Sequence, residues 1–235
     1  MAGWTAKRFW QQAVVVPEGA GFRVTLDGRP VRTPAKTPLI LPSRPLAEAI
    51  AAEWQAQDGT VRPETMPFTR SANSALDKVA VQFDEVAEML AAYGETDLLC
   101  YRAAAPAALT QRQADAWDPL LDWAARALSA PLHATVGVIP QAQPGESLSR
   151  LAARVHALSP FQLAAFHDLV AISGSLVIAL AVIDGRLTAE DGWAVSRVDE
   201  SWQSEQWGED DEAAEVEACR REAFLHAARF FALCG

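Results

Sequence analysis

The sequence predicts an α+β chain: a small, β-rich α+β domain over residues 1–65, followed by a larger all-helical domain over residues 66–235. Three observations lead there. Short β-branched and alternating runs crowd into the first 42 residues. From Ser147 onward every apolar pattern has a helical period. The composition, 50% hydrophobic and 21% charged over 235 residues, belongs to a folded chain with enough apolar surface for a sizeable core.

The elements follow in order. AVVVP is a short β-branched run, and GFRVTL alternates Phe22, Val24 and Leu26 with Arg23 and Thr25, so one face can be buried. Asp27-Gly28 comes next, the pair a tight hairpin turn prefers, and both are assigned a structural role. TPLILP reads as a further short strand. Ser43 caps a helix that has Pro45 in its first turn. Leu46, Ile50, Trp54 and Gln57 share one stripe of that helix, which makes Trp54 a core residue. Thr69 is expected to cap the next helix, whose apolar residues Leu76, Val79, Phe83, Val86 and Leu90 recur at three and four. Arg70, Asn73 and Asp77 line its polar face. DLLCYR and HATVGVIP read as brief strands near 96–102 and 133–139, candidates to return to the first sheet. QRQADAWDPLLDWAARAL is helical, with Pro119 at a start or a kink.

The remaining segments, LSRLAARVHAL, PFQLAAFHDLVAISG, SLVIALAVIDG, TAEDGWAVSRVDESWQSEQWG and DDEAAEVEACRREAFLHAARFFAL, are helices. The uncharged run Leu169–Ile183 spans 15 residues, short of the roughly 20 that cross a bilayer. Ser173, Gly174 and Ser175 interrupt it, so it is read as a buried core helix.

Charge narrows the function. The net charge is −10, and it is uneven: residues 1–78 carry +3 and the other 157 carry −13. Nucleic acid needs a basic surface, and the basic group Arg23, Arg29, Arg32, Lys36 and Arg44 has no interleaved aromatics. The three cysteines show no CxxC spacing, which argues against a disulfide framework or a zinc site and for a reducing compartment. The N-terminal stretch MAGWTAKRFWQQAVVV has no apolar core of a secretory signal. Neither GxGxxG nor GxxxxGK[ST] nor GxSxG occurs, and His133, His156, His167 and His226 form no ligand pattern.

One stretch stands out. Ser196–Ala213 places Asp199, Glu200, Glu205, Glu209, Asp210, Asp211 and Glu212 around Trp202 and Trp207. Three readings are open. Gly208 ends one helix and the acids open the next, where they complement the macrodipole. Buried carboxylate pairs serve acid–base or metal chemistry. An exposed tryptophan among acids anchors a partner.

The motifs LDGRPVRTPAK, AAEWQAQ, MPFTRSANSALDKV, TDLLCYR, WDPLLDWA and SRVDESWQSEQWGEDDEA occur in this order, from about Phe9 to Phe231. Together they resemble the assembly chaperones of the ATP synthase F1 sector, the branch dedicated to the alpha subunit, in its alpha-proteobacterial form. Phe68 stands where a leucine is also usual, a volume-conserving change. The resemblance implies a protein-binding chaperone that keeps the unassembled alpha subunit soluble until beta subunits arrive. It implies no catalysis, cofactor, nucleotide or metal, no nucleic acid, no membrane insertion and a monomer. It implies a bacterial cytoplasm here, because no targeting presequence is seen, and the mitochondrial matrix for eukaryotic relatives. Family members depend on the tryptophan of AxEWxxQ, here Trp54, which is expected to hold the domains in place, and on an acid in the helical region. Glu200, Glu205 and Asp211 are the candidates, Glu205 first. Partner contact is assigned to Glu200, Glu205, Trp207, Asp210, Asp211, Glu212, Arg70 and Asn73, and structural roles to Trp54, Gln57, Asp27 and Gly28. The competing readings are an enzyme using the acidic cluster with Arg70 and Asn73 as substrate ligands, and a scaffold for some other partner.

Overall fold

The computed structural model of the chain describes residues 7–137, 139–208 and 210–235. The start of the N-terminal stretch, Val138 of the second strand-like piece and Glu209 of the acidic run lie outside them. An N-terminal β-rich region precedes a larger helix-rich one, an α+β and then all-α architecture.

Strands β1 (Ala13–Glu18), β2 (Gly21–Leu26) and β3 (Arg29–Pro30) form an antiparallel meander. Ala13 pairs with Leu26, and Leu26 with Arg29. Between β2 and β3, Asp27 and Gly28 hold φ of 48° and 81°, the two left-handed positions of a type I′ turn. The Asp27 carboxylate accepts the N–H groups of Gln12 and Gln11 at 2.9 Å each. These amides hold its pKa below the ordinary value. The expected strand at 37–42 forms no ladder. Pro38 and Leu41 make isolated bridges to Arg32 and Phe22, because prolines at 38 and 42 supply no N–H.

Helix α1 (Arg44–Gln55) starts at Ser43, whose Oγ accepts the Leu46 N–H at 3.2 Å. It buries Leu46, Ala47, Ile50 and Ala51. The helix stops before Gln57, so that residue leaves the helical stripe. The long amphipathic helix read next is broken into α2 (Pro67–Ser74), a π-helical turn (Ala75–Val79) and α3 (Phe83–Ala91). Thr69 lies inside α2 and does not cap it. Asp77 does not lie on a solvated face: it accepts from Thr33 Oγ1 (2.7 Å) and Ala35 N (3.1 Å).

The later strands, β4 (Tyr101–Arg102) and β5 (Thr135–Val136), pair with each other in parallel and form a separate two-stranded sheet. Helix α4 (Ala107–Ala127) runs through Pro119 as one element, neither starting nor ending there. Then come α5 (Gly145–His156), α6 (Pro160–Ser173), α7 (Leu176–Ile183), α8 (Ala189–Ser196), α9 (Val198–Trp207) and α10 (Asp211–Leu233). The apolar run Leu169–Ile183 is thus two helices, parted where Gly174 takes φ 73°. Leu176 to Ala181 are fully buried. No helix among the described residues is long and apolar enough to cross a membrane.

Packing groups the chain into two units, where the sequence reading drew one linear boundary at residue 65. The first takes residues up to Phe83 together with 159–165 and 229–235, and its core joins Trp10, Val24, Leu41, Leu46, Ile50 and Phe230. The second takes 84–158 and 166–228, with Trp117, Leu151, Phe166, Leu176 and Phe224 among its buried residues. Helices α6 and α10 contribute one end to each.

Candidate functional site

The acidic–tryptophan stretch falls on two helices of the second unit. Its first half is α9, which polar side chains clamp to α4. Gln113 Nε2 donates to Asp199 Oδ1 at 2.6 Å, and Arg112 Nη1 donates to both Glu205 oxygens at 2.8 and 2.7 Å. Trp117 Nε1 bonds the Val195 carbonyl at 2.9 Å, which fixes the end of α8. The Arg112 guanidinium holds the Glu205 carboxyl below its usual range, and Glu205 raises Arg112 in turn. Glu205 is therefore exposed but already paired within the chain.

Between α8 and α9 sits Arg197, a buried cation. Its guanidinium pairs with Glu200 Oε1 at 2.7 Å, donates to Ser196 Oγ and the Ile172 carbonyl at 3.2 Å each, and lies 5.0 Å from the Trp193 ring. Burial lowers its pKa, and the carboxylate and carbonyl partners compensate the buried charge. Glu200 is thus paired as well.

The second half is freer. Trp207 closes α9 and is 80% exposed. Gly208 follows with φ 88°, a conformation that ends the helix without a Cβ penalty. Asp210 Oδ1 accepts the Glu212 N–H at 3.1 Å and so caps α10, with Asp211 and Glu212 exposed in its first turn. Among the described residues no group of three or more His, Cys, Asp or Glu is placed to hold a metal.

Arg70 and Asn73 lie on α2, in the first unit. Arg70 is exposed; Asn73 is half-buried, and its Oδ1 has no partner among the described residues. Trp54 is half-buried, its ring 5.3 Å from Trp10 and nearly edge-on. Gln57, 4% exposed, binds the loop that follows: Nε2 donates to Glu53 O and Thr65 Oγ1, and Oε1 accepts from Arg62 N.

Several organising residues escaped the sequence reading. Glu53 accepts Phe68 N, Thr69 N and Thr69 Oγ1, holding the start of α2. Burial pushes its carboxyl up, and those bonds offset part of the shift. A signal existed, since Glu53 continues the Leu46–Ile50 stripe at a spacing of three. Asp97, fully buried, accepts Leu99 N, Ser175 Oγ and Val177 N, joining the TDLLCYR turn to the start of α7. Arg8 closes the end of α1 through the Gln55 and Gln57 carbonyls.

Ion pairs thus fix α9, and an exposed indole and exposed carboxylates stand where α9 gives way to α10, a surface of the composition that protein–protein contacts use. Comparison with known proteins agrees. Residues 7–125 match the family model described as "ATP12 chaperone protein". The crystal structure of Atp12 from Paracoccus denitrificans is 53% identical, with TM-score 0.96 over 98% of this chain and 99% of that one. A protein from Agrobacterium tumefaciens is 41% identical, with TM-score 0.92 over 98% and 87%. Mitochondrial protein atp12 of Schizosaccharomyces pombe is 26% identical over 90% of this chain and 77% of its own length. The chain belongs to the ATP12 chaperone family.

Proposed function

We propose that this chain is a molecular chaperone that binds the unassembled alpha subunit of F1-ATPase and keeps it assembly-competent until beta subunits replace it. The observation that carries the reading is the likeness to the Paracoccus denitrificans Atp12 structure across nearly the entire length of both chains. An orphan alpha subunit exposes apolar surface that its neighbours normally cover, which is an aggregation hazard. A holder that must later leave works best with a few aromatic anchors and a charged rim.

The exposed Trp207 edge with Asp210, Asp211 and Glu212 fits such a rim. Glu200 and Glu205 support it from within, since their carboxylates meet Arg197 and Arg112. Arg70 and Asn73 are assigned to client contact on the first unit. The net −13 beyond residue 78 steers the chain toward a basic patch on the client and away from its own copies. It acts as a monomer without catalysis, in the bacterial cytoplasm here and in the mitochondrial matrix for its eukaryotic relatives.

The test is co-expression with an F1 alpha subunit in the absence of beta. Alpha stays soluble and co-purifies with the chaperone, and added beta displaces it. Trp207→Ala weakens capture by about tenfold, the loss expected of one aromatic anchor. If alpha precipitates as fully with the chaperone as without it, the reading is wrong.

A further inference from the structure

We propose that the stripe Val216–Cys219–Ala223 on α10 is a docking face for an apolar client segment edged with Lys or Arg; this rests on the chaperone reading above. From Asp211 to Ala223 every residue of α10 is exposed except Ala214, which is half-buried. A helix without lateral packing is marginal in water, so three turns bare on nearly every side point to cover from outside the chain.

The sequence says which side is covered. Val216, Cys219, Ala223, Ala227 and Phe230 recur at three, four, four and three, which puts them on one helical face. Ala227 and Phe230 are buried, whereas Val216 is 56% exposed and Cys219 and Ala223 are open to solvent. One apolar stripe thus serves as core at the end of the helix and emerges unpartnered toward its start.

The borders of the stripe select the occupant. On one side stand Glu215 and Glu222, with Glu212 in line with the stripe one turn before Val216, and no ion pair among the described residues uses their carboxylates. On the other side Arg220 is tied to the Ile172 carbonyl at 3.3 Å. Free acids along one edge of an apolar row complement a segment with cations on the matching edge. A second copy of this chain brings the same acids and a net charge of −10, so like charge opposes self-association there.

Cys219 makes the face measurable without mutation. Cys100 and Cys234 are buried, with thiol pKa values pushed up to about 12, while Cys219 is exposed. A maleimide therefore labels Cys219 at neutral pH. With F1 alpha subunit as the probe, labelling of Cys219 slows by about tenfold or more in the complex. Val216→Asp weakens alpha capture by about tenfold, as loss of a buried contact does, with an unchanged melting temperature, because Val and Asp have similar helix propensity. Ala218→Asp, on the opposite face, leaves capture unchanged. If wild-type protein captures alpha while Cys219 labels at its free rate and Val216→Asp binds normally, the docking face is refuted and the chaperone reading stands. Slowing of Cys219 labelling with rising chaperone concentration alone makes the face a self-interface and also refutes the proposal. If wild-type protein fails to capture alpha at all, both fall.

Discussion

Replacing Glu53 with alanine removes a side-chain acceptor that holds the start of α2. The Glu53 carboxylate accepts Phe68 N at 2.6 Å, Thr69 N at 2.8 Å and Thr69 Oγ1 at 2.6 Å. The residue at the N-cap position, Met66, offers no side-chain bond of its own, so the orphan amides of that helix end rely on a group one helix away. A hydrogen bond to a charged acceptor contributes about 1.5–3 kcal/mol, and loss of a helix cap costs about 0.5–2 kcal/mol. These values overlap, and Phe68 is only half-buried, so water recovers part of the loss. The net destabilisation is about 2 kcal/mol, which for a chain of this size lowers Tm by about 4–8 °C. The assay is thermal unfolding followed by circular dichroism. Glu53→Gln, which keeps one acceptor oxygen but faces an amide with an NH2 group, should fall in between. An alanine variant that melts within about 1 °C of wild type would show that the cap does not stabilise the fold and would refute the reasoning.

Further outcomes follow from the same contacts. Burial raises the Asp97 pKa above its ordinary value, so the folded state binds the proton more tightly, and this group's contribution to stability falls as pH rises through the window above the ordinary carboxylate range. Asp97→Asn should destabilise by about 2–4 kcal/mol, because an amide places a donor against three donors, and should remove that slope in urea midpoints measured across pH. Trp54→Arg puts a guanidinium against Trp10 and should cost about 2–4 kcal/mol; an unchanged melting curve would rule out a packing role for Trp54. Glu205→Lys sets two cations together at the α4–α9 clamp and should weaken alpha capture without unfolding the chain. The exchange Arg112→Glu with Glu205→Lys restores the pair. Recovered capture assigns Glu205 to positioning α9, and persistent loss assigns it to direct client contact.

Local chemistry was legible in the sequence wherever donor and acceptor sit within a few residues of each other. Ser43 caps α1 three residues on, Asp27-Gly28 turns β2 into β3, and Gly208 ends α9. The amphipathic periods located most helices for the same reason, since a stripe is a property of neighbouring turns. Breaks inside those stripes showed only where small residues marked them, as at Ser173–Gly174–Ser175 between α6 and α7. Apolar residues keep helical spacing across Ala75–Val79 and around Arg197, and there only packing decides where the axis changes direction. The sequence placed Trp207 at a helix end beside a run of acids, and the fold left it exposed.

What the tertiary structure alone decided is which polar groups meet. Glu205 and Arg112 lie 93 residues apart, Asp97 and Val177 are separated by 80, and Asp77 and Thr33 by 44. No pattern in the chain marks such partners, because a carboxylate reads the same whether it faces water or a guanidinium. Folding chooses between those two environments, and that choice separates the carboxylates that build this chaperone from those left exposed to solvent.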